Sequence, residues 1–368
     1  MRSIRAGDLS GSRSRSARMK RLVLVLAAAS LLLPAAGRAA ACSPLNCAPS
    51  QFTLAHGTMM GFRTASDRPV TVVDLTTGKT KFTLPDGVNA RNVLVHLEGQ
   101  MVEWYDLTLG TKVQSVAVGA GYALRGASQD GTRAVLQQSD NGGATFLVVS
   151  PAGAQTVHVD GKQWDFDALR GDNLYLIHYL TTGGYQVRLA HLTSGVLEAG
   201  PLKDPHESGT IWGQPFSRLS SADGRYLFTV FIGSNGGAMI HELDLKSSTA
   251  RCIDLPGTGD YGAATTWTLQ LSANGKTLWG VSPRYGRVVA IDVASLAVKT
   301  AFRIGLAGWF LGKGTSSAVA PDGNRIALAD GQTVAILDLD ARRITSRAAG
   351  RALALGYSPD GARLWKLG

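Results

Sequence analysis

Past residue 50 the chain is a succession of short apolar runs, each punctuated by Gly, Asp and Asn. The runs are rich in Val, Ile, Leu and aromatic residues, which predicts strands separated by tight turns. No window of about 12 residues combines helical apolar spacing with caps. An all-β chain is expected.

Two signatures recur. The first is a turn: "SQDG" at 128–131, "SADG" at 221–224, "SANG" at 272–275, "APDG" at 320–323 and "SPDG" at 358–361. Asp-Gly or Asn-Gly between apolar runs marks a hairpin, because Gly takes the positive φ and the Asx side chain bonds the local backbone. The second is a strand running into another turn, as in "VTVVDLTTGK" at 70–79, "VEWYDLTLGTK" at 102–112 and "VAILDLDARR" at 334–343. Its column of pre-turn residues is Asp74, Asp106, Ser150, His191, Asp244, Asp292 and Asp338, spaced by 44 residues on average. About four strands in each period of about 40–50 residues is the signature of propeller blades, whose two apolar faces must be buried against neighbours.

With S-P-D-G and D-x-x-T-G-K turns, residues 60–368 resemble the bacterial WD40-like and YVTN-type β-propellers. The Trp-Asp ending of the eukaryotic repeat is absent. The expected fold is a single β-propeller, all-β, with seven four-stranded blades; six and eight are the alternatives. The segment "RALALGYSPDGARLWKLG" reads as the inner half of a blade whose outer half is "VTVVDLTTGKTKFTLP". The N- and C-terminal strands are therefore expected to share one blade and close the ring.

The net charge of +10 suggests nucleic acid until its distribution is considered. Residues 1–41 hold eight basic side chains and one acid, which leaves only about +3 for the rest. That segment is laid out as a secretory signal, with "MKR" at 19–21, "LVLVLAAASLLLPAA" and an A-x-A site at 39–41. Residues 1–18 precede the more typical start, Met19, and read as a mis-called extension. Expected domains are a signal peptide at 1–41, a linker at 42–58 and the propeller at 59–368. Cleavage would leave Cys42 first, which resembles a bacterial lipobox, although Ala39 stands where that family has Leu. Two assignments stand: Cys42 is lipidated and Cys47 can pair with Cys252, or Cys42 pairs with Cys47.

In the expected topology the two signature turns share one face. The other face receives the connections between second and third strands and those between blades. Both sets are expected to be longer and more varied, and binding residues concentrate on such loops. The links at 197–217, 255–268 and 304–317 are long, and 159–167 has similar composition. Each carries one Trp: Trp164, Trp212, Trp267 and Trp309. Beside them stand Asp165, Asp167, His206, Glu207, Asp260, Tyr261, Phe310 and Lys313. Aromatic rings with a few acids suit a sugar, a peptide or an envelope fragment. The plainer reading is that each Trp packs between blades and each acid is solvated.

Other motifs carry no chemistry. "TTGKT" and "ANGKT" end like a phosphate loop but have Val73 and Gln270 where its first Gly belongs. There is no G-x-S-x-G, H-E-x-x-H or C-x-x-C. The reading is an exported, non-catalytic, monomeric propeller that uses no cofactor or metal. It binds a protein partner or an envelope glycan or peptide on its long-loop face, with no nucleic acid and no membrane contact beyond a lipid anchor. The alternative is a propeller hydrolase or lactonase with its site at the axial mouth.

Overall fold

The computed structural model describes residues 51–53, 58–62, 69–84, 87–90, 93–205, 208–306, 316–330, 332–350, 352 and 354–367. Seven antiparallel four-stranded sheets follow one another, over 51–84, 88–117, 123–160, 164–202, 214–255, 268–303 and 316–349. Each is a blade, numbered 1 to 7 in chain order. Helix is confined, among the described residues, to one turn, α1 (Tyr261–Ala264).

Strand composition follows position in the blade. The second strand of blade 5, Tyr226–Ile232, reads "YLFTVFI" and is buried along almost its whole length. Neighbouring blades cover both of its faces, so the strand is a continuous apolar run. The outermost strand of blade 2, Thr111–Ala117, reads "TKVQSVA" and is largely exposed.

Each seam between neighbours is a separate apolar cluster. Val70 and Leu94 meet between blades 1 and 2, Val95 and Leu136 between 2 and 3, and Phe146 and Leu176 between 3 and 4. Tyr175 and Leu243 meet between 4 and 5, Phe228 and Leu278 between 5 and 6, and Val288 and Ile326 between 6 and 7. Two more clusters involve the C-terminal hairpin, Ala354–Tyr357 with Leu364–Leu367. Its Leu355 and Tyr357 pack on Ala327 and Val334 of blade 7, while Ala354 packs with Met60, Phe62 and Val73 of blade 1.

The ring therefore closes, but not by a shared sheet. Blade 1 already holds four strands, because Gln51–Thr53 and Met59–Phe62 supply its inner pair. With that place taken, the terminal hairpin stands as a separate two-stranded sheet wedged between blades 7 and 1. A Cβ on Gly356 would lie 2.5 Å from Leu75 Cδ2, so glycine permits the close approach. Trp365 Nε1 donates to Leu75 O at 2.6 Å across the joint.

One face of the ring is built by repetition. In the first turn Ser128, Ser221, Ser272 and Ser358 each donate to the Asp or Asn two positions on. Each serine also accepts the backbone N–H five positions on. In the second turn Gly78, Gly110 and Gly195 take φ near 70°, and the same column holds Ser248, Leu296 and Arg342 near 50°. The left-handed backbone there belongs to the turn, and non-glycine residues adopt it at a cost of about 1 kcal/mol.

Candidate functional site

The opposite face is irregular, but less so than its sequence suggests. Connections from second to third strand are short, such as Gly99–Gln100 in blade 2, 233–237 in blade 5 and 283–286 in blade 6. They were expected to be long; tight Gly-containing turns suffice because these strands are adjacent. Length resides in the inter-blade links after blades 4, 5 and 6. The first two fold back over the short turn of their own blade. Ile211 pairs with Tyr185 in an isolated bridge, and Gly259 N donates to Asn235 O at 2.9 Å.

The predicted tryptophans have different fates. Trp164 opens the innermost strand of blade 4, Trp164–Arg170, and is 7% exposed. It stacks on His178 with centroids 4.1 Å apart, and its Nε1 donates to Asp160 O. Trp267 is 1% exposed in the seam between blades 5 and 6. Both are packing residues. Trp212 is 59% exposed and lies on the turn of blade 4, where a Cβ on Gly183 would be 3.0 Å from its ring. Tyr261 is 41% exposed and meets Phe216 edge-on, with centroids 6.0 Å apart.

The acids are placed more tightly than solvated loop residues would be. Asp165 and Asp167 are both buried on the innermost strand of blade 4. Asp165 Oδ1 accepts from Phe166 N at 2.8 Å and lies 4.0 Å from Arg125 Nε of blade 3. Asp167 Oδ1 lies 2.9 Å from Arg218 Nη2 of blade 5, which also donates to Asp167 O. An ion pair thus ties blade 4 to its neighbour on either side. Asp260 is the N-cap of α1, where its Oδ1 accepts from Ala263 N at 2.9 Å.

A backbone irregularity accompanies these groups. The innermost strand pairs of blades 3, 4 and 5 each contain a bulge, whose extra residues are Arg125, Asp167 and Phe216. The corresponding pairs of blades 1, 2, 6 and 7 run in straight register. A bulge re-aims its extra side chain, and bulges gather beside functional sites.

Tyr179 and Tyr185 flank the short turn of blade 4 beside this cluster, with ring centroids 5.9 Å apart. Burial, with added repulsion from Asp165 and Asp167 at Tyr179 and from Asp167 at Tyr185, pushes both phenols upward, so they stay protonated. Behind them, His241 is driven down to about 4, chiefly by burial, with Asp167 acting in the opposite direction. Asp204, from the first link, accepts from Cys252 N at 3.1 Å.

Arg125, Tyr179, Tyr185, Arg218 and His241 escaped the sequence reading. One signal was available: Arg125 and Arg218 each stand three positions before the serine of their turn. His206, Glu207, Trp309, Phe310, Lys313, Cys42 and Cys47 lie outside the described residues. Among the described residues no three His, Cys, Asp or Glu side chains are grouped to hold a metal ion.

No family model and no curated protein matches the chain. Solved structures do. The Dos1 propeller is 10% identical, with a TM-score of 0.49, over 83% of this chain and 85% of that one. The β-propeller domain of Cps50 (Swd1) from Myceliophteria thermophila is 12% identical, with a TM-score of 0.45, over 87% and 92%. Hydrazine synthase of Kuenenia stuttgartiensis is 13% identical, with a TM-score of 0.46, over 84% and 96%. These are structures the chain is similar to; by its own sheets and seams it is a β-propeller with seven four-stranded blades.

Proposed function

We propose that this is an exported, non-catalytic propeller that binds a protein partner or cell-envelope ligand on the face of its long links. Trp212 carries the reading. A largely exposed indole, laid flat on a two-glycine turn, contributes little to the core and offers a rigid apolar surface for contact. Tyr261, 41% exposed and edge-on to Phe216, is a second aromatic offered by the next link. The basic and apolar segment before residue 42 supports export, and Cys42 is where a lipid would be attached. Asp167, held by Arg218, is better placed to join blades than to act as a base.

The test is capture from solubilised cell envelope on immobilised protein. Trp212→Ala should retain the wild-type melting temperature and lose at least about tenfold in capture, the scale of a hot-spot aromatic. Equal capture by both proteins would refute the assignment of the face. The mass of the mature N-terminus tests cleavage and acylation.

A further inference from the structure

The cluster at blades 3 to 5 holds four buried polar atoms without a hydrogen-bond partner among the described residues: Arg125 Nε, whose ion pair with Asp165 is too long for one, Tyr179 Oη, Tyr185 Oη and Arg218 Nη1. Tyr185 is only 4% exposed. Buried donors are normally matched, so four in one place indicate a group that supplies acceptors. Acceptors are also present. Arg218 engages Asp167 through Oδ1 and the main chain, which leaves Oδ2 uncommitted among the described residues.

The charges select among ligands. Two guanidiniums face two carboxylates, and both phenols are neutral. An anion would be repelled by Asp165 and Asp167, and a cation by Arg125 and Arg218. Hydroxyl groups suit both sets, since each donates and accepts from one oxygen. Water would satisfy the same bonds, but it has no use for the indole beside them. Trp212 follows Ile211, which is bridged to Tyr185, so the exposed ring and the buried cluster belong to one corner of blade 4. Approach is through Arg125, whose side chain is one-third exposed, and the half-buried Tyr179.

We propose that the ligand of the link face is a neutral saccharide. A sugar ring stacks on Trp212, and hydroxyls of the same or the next sugar bond Tyr179, Asp167 and the two arginines. The bulges at Arg125 and Asp167 would then serve to aim these groups. This rests on the link face being the binding face and specifies what it takes.

The test is titration of the mature protein with chitotetraose and cellotetraose, followed by calorimetry and tryptophan fluorescence, with sodium acetate and tetraglycine as controls. Saturable binding of either sugar is expected, weakened about tenfold or more in Trp212→Ala and about threefold to tenfold in Tyr179→Phe, with no response to the controls. The phenol-to-phenyl change is conservative enough to keep the fold, which a melting curve checks. If neither sugar binds at about 10 mM, yet envelope capture remains dependent on Trp212, the saccharide is refuted and the binding face stands. Failure of both experiments overturns both. Sugar binding that is indifferent to both substitutions refutes the site.

Discussion

The links after blades 4 and 5 are alike in sequence, each Gly-rich, with an acid along it and a Trp near its end. They deliver that Trp to opposite environments. In the first, Gly213 at φ 112° follows Trp212, and the ring rests on backbone with solvent above it. In the second, Asp260 caps one helical turn, after which Thr266 N and Trp267 N donate to Ala263 O and Ala264 O. The chain winds inward, and Trp267 enters the seam beside Leu278. What decides the fate of the ring is the descent of the link, set by a cap and a few turn bonds.

The largest effect expected from this contrast is at Trp267. Trp267→Ala should cost about 3–5 kcal/mol in urea unfolding, as for a buried aromatic. A cost below about 1 kcal/mol would show that the second link does not anchor the seam. Next comes pH, which probes the seam beneath the first link. His241 is buried and neutral, with its pKa lowered to about 4, so the unfolded chain takes up its proton first on acidification. Stability from this group is full above about pH 6.5 and falls toward pH 4, by at most about 1.4 kcal/mol per pH unit. Melting temperature against pH should be flatter in this window for His241→Gln; identical slopes would mean that the histidine is solvated. Asp260→Ala should cost about 1 kcal/mol through the lost cap. It should also red-shift the emission of Trp267 if the cap steers the ring inward. The smallest effect is at Trp212, where alanine should change stability by less than about 0.5 kcal/mol.

The parts of this molecule that were legible in sequence are those built from neighbouring residues. Ser221, Asp223 and Gly224 make their turn within a few positions, so the repeat announces itself. Its spacing then implies a ring, since a four-stranded sheet with two apolar faces needs neighbours. Closure was misread because Gln51–Thr53 and Met59–Phe62 are short and lie among turn-rich sequence, so their strand character is weak. The polar cluster was half-read. Asp165 and Asp167 stand out in sequence through their place beside Trp164, whereas their partners Arg125 and Arg218 come from other blades, 40 and 51 positions away respectively. Nothing local signals such pairs, and a bulge cannot be seen without the strand opposite it.

The terminal hairpin gives the ring an uneven mechanical character. Every blade is stitched internally by sheet hydrogen bonds, neighbours around the circle meet through packed side chains, and the closing joint adds the Trp365 indole to that packing. Such a clasp resists separation by excluding water and tolerates small sliding that a ladder would forbid. With two strands where each blade has four, the closing element brings fewer strands to that packing than any other position in the circle.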